Sequence, residues 1–513
     1  MNESTENLIP PSSSSSLLPT RNEDRLNLRV YRTTALRWVM VLVLALLNST
    51  SAYLWISFAP VANHFGAYYS ASETTLNFIQ MIFPLTTVIF GLPASLVIDY
   101  LGTRLVLCFS ALANLICGIL RVVSSASFLR FLSPHFRLIL VGCGQCVASF
   151  AQPLCMFIPT KLALEWFPDR QRTVANTIGS LANALGVLFG SALAPVLVKT
   201  PNDLPRFNYF SLAIVSIGTV LTLSLVRRSK PQNPPSAAAE LASFARCRQS
   251  VLPESGRILD HRRRFQKQLC EPFRLAGFWI LIFSFGSMLA YYTMVSTLFQ
   301  QMLCTKGYSN QFSGICAVVM IGAGLIASVF TAVYVDRTGL FIESIKFCYM
   351  MALLGVIGFG SALWYSQQPS LILVSVIWFG TFSFSQYSVA LELAAEATFP
   401  LPESVSSAIL IVGSQVLSIF FVGFVQALAP FAEPSTQFKQ TCGPDATPQD
   451  YCWPHFGVCI LMTLIGIVQL KYLRLPYKRR TSKVEQGNAG PGPLFKSNEE
   501  SVEQEMQQTD SER

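Results

Sequence analysis

The segment IDYLGTR (residues 98–104) places an aspartate, a glycine and an arginine directly after a long apolar run. A related segment, VDRTG (residues 335–339), follows another apolar run in the second half of the chain. A further pair, EWFPDRQRTVA (165–175) and ATFPLPESVSS (397–407), recurs at nearly the same separation. Two pairs of segments at a shared separation predict a duplicated structural unit.

The apolar runs between these segments predict membrane-spanning helices. Hydrophobic residues make up 51% of the 513-residue chain and charged residues only 13%, whereas soluble domains are usually about 25% charged. A spanning helix needs about 20 mostly apolar residues. We therefore expect an all-α membrane protein with twelve transmembrane helices in two six-helix bundles. The predicted spans are 36–62, 74–98, 104–125, 136–159, 173–196, 207–227, 275–300, 311–335, 344–366, 370–391, 404–429 and 455–475.

Polar segments divide the chain into five parts. Residues 1–30 and 478–513 are predicted to be disordered cytoplasmic tails. Residues 228–272, which include PQNPPSAAAE and HRRRFQK, are predicted to form a cytoplasmic linker. This linker joins an N-terminal six-helix bundle (31–227) to a C-terminal one (273–477).

The basic residues predict the orientation of the chain in the membrane. Most of the 37 Lys and Arg residues fall on the side of the two tails and the linker. Cytoplasmic loops are enriched in such residues, so both termini are expected in the cytoplasm. This asymmetry also accounts for the net charge of +9 without a nucleic-acid partner. The basic residues expected on the other side are Arg130, Arg137, Lys199, Arg206, Lys306 and Lys439.

The segments at the helix ends resemble those of known transporters. Asp-x-x-Gly-x-Arg between the second and third spans is similar to the loop signature of the major facilitator superfamily, although Ser95 stands where that signature has glycine. LWISFAPVAN, KLALEWFPDRQRTVAN, LGVLFGSALAPVLV and ELAAEATFPLPESVSSA together resemble the solute carrier 49 family, which includes the feline leukaemia virus subgroup C receptor-related transporters. The resemblance covers about residues 30–480 and implies an alternating-access transporter.

Polar side chains inside the predicted spans are candidates for a substrate pathway, because such side chains usually face a bundle interior. No Asp or Glu lies near the middle of a predicted span, and none of the four histidines (His64, His135, His261 and His455) is expected deep in the membrane. Proton-driven carriers generally need a titratable group in the pathway. Facilitated diffusion is therefore the simpler expected mechanism.

Trp55 has two interpretations. Tryptophan favours the membrane–water boundary, and Trp38 and Trp55 lie about 25 Å apart along a helix, close to the thickness of the hydrocarbon core. Alternatively, the apolar run continues past Trp55, which places its indole inside the membrane. There it can stabilise an organic cation through its ring face.

The resemblance implies which residues contact a substrate. Choline-transporting members of the family have a tryptophan followed by isoleucine in the first span, matched here by Trp55, and glutamines matched by Gln152 and Gln415. A tyrosine in their seventh span falls here at Thr293, next to Tyr292. We expect the substrate-binding residues to be Trp55, Gln152, Gln415, Tyr292, Thr293, Gln300 and Asn48.

Several other residues are assigned structural roles. Asp99, Arg104, Asp336 and Arg337 are expected to form cytoplasmic gating contacts. Arg121, near the end of the third span, is expected either to extend to the membrane surface or to attract an anionic group. Glycines of the fifth and eighth spans are expected to permit close helix packing, as small residues do in membranes; they are Gly179, Gly186, Gly190, Gly322 and Gly324.

Most of the thirteen cysteines lie in apolar runs and are interpreted as small apolar side chains. Cys143 and Cys146 form a single CxxC without a nearby histidine, so no metal site is expected. Cys442 and Cys452 lie in a polar loop and are candidates for a disulfide if that loop is extracellular. No cofactor motif and no catalytic constellation is recognisable, so an enzyme is the least favoured class.

The favoured function is transport of a small organic solute, namely a choline- or ethanolamine-like amine moved down its gradient by a monomer. Transport of haem or another porphyrin, or of pyridoxine, remains open as an alternative. A non-transporting receptor or scaffold is the alternative from another class. The plasma membrane is the favoured location, with a lysosomal or other internal membrane as the alternative.

Overall fold

The computed structural model describes residues 34–126, 131–229, 231, 271–365, 367–398, 403–431, 441–442 and 449–476. The predicted tails, and nearly all of the predicted linker, lie outside the described residues. Within them, twelve helices are long and apolar enough to cross a membrane. We number them α1 Leu36–Tyr69, α2 Glu73–Ile98, α3 Tyr100–Ser125, α4 Pro134–Trp166, α5 Val174–Leu197, α6 Pro201–Leu225, α7 Ala276–Cys304, α8 Asn310–Val335, α9 Phe341–Trp364, α10 Pro369–Thr398, α11 Val405–Leu428 and α12 Cys452–Tyr472.

The twelve helices confirm the predicted spans and the predicted fold. Helices α1–α6 form one bundle and α7–α12 the other, and the bundles meet where α2 packs on α11 and α5 on α8. Successive spans run in opposite directions, which gives the molecule two ends. We call the end that holds Cys304 and Cys442 the disulfide end, and the end that holds Arg104 and Pro272 the linker end.

Helix α1 is not continuous. Its α-helical part Leu36–Ile56 is followed by a 3-10 turn, Ala59–Val61, and a short helix, Ala62–Tyr69. Pro60 lies in that turn and has no backbone N–H to donate, which favours a break in the hydrogen-bond ladder. Near the start of α3, Gly102 has a φ of 77°, a conformation that glycine adopts readily, and it turns the chain between α2 and α3.

The helix surfaces have the polarity of a protein surrounded by lipid. Large apolar side chains point outward, among them Ile89 at 70% exposure and Phe330 at 72%. Polar side chains such as Asn48, Asn77 and Gln145 are instead buried between helices. This arrangement is expected when the surrounding solvent is hydrocarbon, because a polar group facing lipid has no hydrogen-bond partner there.

Close helix contacts at glycine confirm most of the glycine predictions. A methyl group at Gly186 would overlap the carbonyl of Ser49 on α1, and one at Gly190 would lie 2.6 Å from the Ile56 side chain. Gly179 and Gly324 are similarly close to neighbouring helices. The prediction is wrong for Gly322, where an added methyl would have no atom within 4 Å among the described residues.

The predicted disulfide between Cys442 and Cys452 is wrong. Cys442 is bonded to Cys304 at the end of α7, with 5.1 Å between the two Cα atoms. Thr441 docks the loop on this helix end, because its hydroxyl donates a hydrogen bond of 2.7 Å to the Cys304 carbonyl. Cys452 instead begins α12, is buried, and directs its thiol to the Leu363 carbonyl at 3.3 Å. The shared polar loop suggested a bridge between Cys442 and Cys452, whereas the fold brings the end of α7 next to Cys442.

Peptide mapping without reduction tests this disulfide. We expect the fragments that contain Cys304 and Cys442 to remain linked, and the replacement Cys304→Ser to release them. The replacement Cys452→Ser should leave the link intact, because the Cys452 thiol is free. A linked pair of fragments containing Cys442 and Cys452 would contradict the assignment.

Candidate functional site

A cavity of about 90 Å³ lies between the two bundles. Its wall is formed by residues of α1, α2, α4 and α5 on one side and of α7, α10 and α11 on the other. The lining residues are Trp55, Phe83, Pro84, Thr87, Gln152, Met156, Ser180, Leu181, Asn183, Ala184, Phe285, Met288, Leu289, Tyr292, Thr293, Ser383, Phe384, Gln386, Tyr387 and Gln415.

The lining combines aromatic rings with neutral polar groups. Six aromatic side chains contribute to it, and its polar members are hydroxyl and carboxamide side chains. None of the described lining residues carries a carboxylate, amine, guanidinium or imidazole group. A ligand in this cavity therefore meets ring faces and dipoles instead of formal charges.

The structure brings five of the seven predicted binding residues to the cavity wall. Trp55, Gln152, Tyr292, Thr293 and Gln415 come from four different helices and line the same space. This clustering does not follow from their sequence positions, and it is a result of the way the two bundles pack.

The Trp55 side chain is held in place by its polar edge. Its indole Nε1 donates a hydrogen bond of 3.2 Å to the Gln80 carbonyl on α2. The residue is 6% exposed and lines the cavity. The boundary interpretation of Trp55 is therefore wrong, because its ring lies between the bundles and does not face lipid.

Gln152 is oriented by the same helix that carries Trp55. The Ser51 hydroxyl on α1 donates to Gln152 Oε1 at 3.3 Å, which fixes the carboxamide oxygen against α1. A carboxamide carries two N–H donors on its nitrogen. With its oxygen held by Ser51, the side chain presents donor groups on the cavity wall.

Asn48 and Gln300 do not line the cavity in this conformation. Asn48 is buried between α1 and α5, where it donates to the Gly179 carbonyl at 2.9 Å and accepts from Asn183 at 3.2 Å. Gln300 donates to Asn310 Oδ1 at 3.2 Å near the disulfide end. Asn48 thus positions a lining residue, Asn183, while Gln300 belongs to a polar network outside the cavity.

Arg121 is fully buried in the N-terminal bundle, so the expectation that it extends to the membrane surface is wrong. Its guanidinium donates to the Leu54 carbonyl and, at 2.9 Å, to the Ser57 hydroxyl. The Phe58 ring lies beneath it, 4.1 Å from the guanidinium carbon. Arg121 therefore satisfies backbone and side-chain acceptors where α1 breaks.

His455 is another buried titratable group, and it lies in the first turn of α12. It is fully buried near the disulfide end of the C-terminal bundle, and its Nε2 lies 2.8 Å from the Tyr291 hydroxyl. Because His455 lies so close to the start of its span, its burial does not contradict the expectation that no histidine lies deep in the membrane, which stays a prediction. Its imidazole nevertheless does not contribute to the cavity wall.

The disulfide end is closed by a pair of carboxamides that joins the two bundles. Asn77 on α2 donates to Gln301 Oε1 at 2.9 Å, and Gln301 on α7 donates back to Asn77 Oδ1 at 2.8 Å. Tyr451 adds a third hydrogen bond to Gln301 Oε1 at 3.3 Å. Burial raises the pKa of the Tyr451 hydroxyl well above its usual range, so Tyr451 remains a neutral donor.

A second set of amides extends this closure. Asn310 on α8 donates to Asn63 Oδ1 at 2.8 Å, and Asn63 donates to the Thr441 carbonyl at 3.3 Å. Because Thr441 is next to the disulfide-bonded Cys442, the bridge holds the loop against the N-terminal bundle. All of these contacts between bundles use neutral groups.

The predicted gating charges are described only in part. The side chains of Asp99 and Asp336 lie outside the described residues, so the predicted charge pairs stay predictions. Arg104 and Arg337 are exposed at the linker end. The inter-bundle contacts that the structure does describe, such as Asn77 with Gln301, were not predicted from the sequence.

Some lining residues were not among the predicted binding residues, notably Gln386 on α10 and several aromatic rings. The spacing of polar and aromatic residues along α10 is a sequence signal that could have identified several of them. Ser383, Gln386 and Tyr387 are three and four residues apart, a spacing that places side chains on one side of a helix, and all three line the cavity.

The two bundles of six helices around a central cavity define a transporter-type membrane protein with the major facilitator fold. The D-xylose-proton symporter has this fold at a TM-score of 0.61, with 15% identity, 86% of this chain covered and 98% of that chain. The family description Major Facilitator Superfamily matches residues 41–429. This chain belongs to that superfamily and, within it, to solute carrier family 49.

Two groups of relatives support the narrower assignment. Solute carrier family 49 member A3 of Danio rerio is 31% identical over 485 residues, covering 94% of this chain and 96% of the relative. Choline/ethanolamine transporter FLVCR1 of Felis catus is 26% identical over 397 residues, covering 76% of this chain and 67% of that relative. The more similar relative carries no substrate in its name.

Proposed function

We propose that this protein transports a choline- or ethanolamine-like amine down its gradient by alternating access. The observation that carries the proposal is the anchored Trp55 ring on the wall of a cavity whose described lining has no charged side chain. A quaternary ammonium ion over a tryptophan face gains about 2 kcal/mol when it is desolvated. The relatives named choline/ethanolamine transporters support the same substrate class.

The same lining supports facilitated diffusion as the mechanism. Coupling to protons requires a group that changes protonation along the pathway, and the described cavity wall offers no carboxylate or imidazole. The amine gradient and the membrane potential are then sufficient to drive a cationic substrate. Uptake should therefore not require an imposed proton gradient.

The proposed orientation places the disulfide end outside the cytoplasm. Disulfides persist in oxidising compartments, and the Cys304–Cys442 bond lies at the end opposite the linker. The excess of basic residues on the other side supports the same orientation. We place the protein in the plasma membrane as a monomer, with both termini in the cytoplasm.

Radiolabelled choline uptake tests the proposed function. Cells that produce the protein should accumulate choline above vector controls, and Trp55→Ala should raise the KM about 30-fold, the equivalent of about 2 kcal/mol. Trp55→Phe should have a smaller effect, because a phenyl face remains.

Trp378 provides the matched control. Its indole also donates to a main-chain carbonyl, that of Met351 at 2.9 Å, but the ring is 42% exposed on the outer surface of the bundle. Trp378→Ala should leave choline uptake unchanged. Uptake equal to vector for choline, ethanolamine, haem and pyridoxine alike would instead favour a receptor.

A further inference from the structure

Gln386 is a buried polar side chain without a hydrogen-bond partner in the part of the chain that the structure describes. It is 0% exposed, and neither Nε2 nor Oε1 has a hydrogen-bond partner among the described residues. Leaving both atoms of a buried amide unpaired is costly, so such a group calls for a specific explanation. A bound ligand provides one.

Three other buried carboxamides have both amide atoms unpaired among the described residues, namely Gln80, Asn114 and Gln469. An unpaired amide is therefore not by itself a ligand site in this protein. Gln386 differs from the other three because it lines the central cavity.

The packing of α10 fixes the direction in which Gln386 points. Gly380 lies directly against the backbone of Met320 on α8, and the Thr331 hydroxyl of α8 donates to Ser385 Oγ at 2.9 Å. These contacts hold one face of α10 against α8. Gln386 is consequently kept on the cavity face together with Ser383 and Tyr387.

A carboxamide presents a donor and an acceptor side by side. A hydroxyl group is complementary to both, since it donates one hydrogen bond and accepts others. A quaternary ammonium group has no N–H and cannot satisfy the acceptor. The unpaired amide therefore fits the neutral end of a ligand whose cationic end lies against an aromatic face.

We infer that Gln386 is a specificity-determining residue that binds the hydroxyl group of an amino-alcohol substrate. This inference rests on the proposed transport of an organic amine. It adds that the C-terminal bundle recognises the hydroxyl end, while Trp55 of the N-terminal bundle contacts the ammonium. The site thereby distinguishes an amino alcohol from a plain alkylammonium ion of similar size.

Uptake of two cations by the full-length protein in liposomes tests the inference. Choline and ethyltrimethylammonium differ only by the hydroxyl group. The wild type should transport choline with a KM about tenfold lower, as expected for one well-placed hydrogen bond in a buried site. Gln386→Leu should raise the choline KM about tenfold and leave the ethyltrimethylammonium KM unchanged.

Gln469→Leu is the matched control, because Gln469 is equally buried and unpaired but lies on α12 away from the cavity. It should change neither KM. Unchanged uptake of ethyltrimethylammonium also shows that Gln386→Leu is folded. If that variant does not fold, Gln386→Met takes its place, because methionine keeps the length of the side chain and removes both amide atoms; it should likewise raise only the choline KM.

Equal KM values for the two cations in the wild type would overturn the inference and leave the proposed function standing. A Gln386→Leu variant whose KM rises by the same factor for both cations would also overturn the inference and leave the proposed function standing. A wild type that transports neither cation would overturn the proposed function as well. The pattern of uptake thus distinguishes the two failures.

Discussion

Tethering residues 77 and 301 is expected to stop transport, and cleaving the tether is expected to restore it. In the double variant Asn77→Cys/Gln301→Cys, a reducible bifunctional thiol reagent would join α2 to α7. In the wild type the two side chains exchange two hydrogen bonds, of 2.9 and 2.8 Å, across the bundle interface. Alternating access requires this contact to separate. Uptake should therefore fall to the vector level after tethering.

Reaction with the reagent also detects the conformation in which the disulfide end is open. Asn77 is 0% exposed and Gln301 1% exposed when the disulfide end is closed, so reaction of both thiols requires that the end opens. Each single variant treated in the same way should keep its uptake, which controls for reaction at native cysteines. A tethered double variant that transports at the untreated rate would show that this contact does not open during the cycle.

The sequence was sufficient to predict the spans. Hydrocarbon offers no hydrogen-bond partner, so a chain that crosses it must form long helices whose lipid-facing side chains are apolar. Length, apolar runs and the repeated helix-end segments identified twelve helices in two bundles, which the structure confirms. Trp55 and Gln152, two of the predicted binding residues, both line the cavity. Their functional role stays a prediction.

The sequence alone did not predict features that depend on which sides of the helices pack against each other. The partner of Cys442 lies on a helix 138 residues away. Arg121 looked like a helix-end residue, but the broken α1 offered its guanidinium internal acceptors. Gln386 was one of many intramembrane amides, and only the contacts between α8 and α10 show which side of the helix it occupies.

Helix α1 connects several of these observations. Its break is stabilised by Arg121, its side chains hold Gln152 through Ser51, and its indole at Trp55 forms part of the cavity wall. The position of α1 is in turn set by α5, where Gly186 and Gly190 allow the two backbones to approach closely. A change at that contact should therefore affect both stability and substrate binding.

Gly186→Ala is expected to destabilise the protein and to weaken transport together. The added methyl group would overlap the Ser49 carbonyl, which is backbone and cannot rotate away. Helices α1 and α5 must then separate, at a cost of about 1–3 kcal/mol. Because Ser51 and Trp55 move with α1, the choline KM should rise as well. Heating the detergent-solubilised protein before size-exclusion chromatography measures the loss of stability, and uptake measures the loss of binding.

Gly322→Ala is the matched control, since it makes the same chemical change on a spanning helix at a position where the new methyl has no described atom within 4 Å. It should leave uptake unchanged, and its stability should be equal or slightly higher, because alanine is the better helix former. If Gly186→Ala behaves like Gly322→Ala in both measurements, then the contact between α1 and α5 does not position the cavity wall. If stability falls while the choline KM stays the same, α1 contributes to folding but its side chains do not bind the substrate.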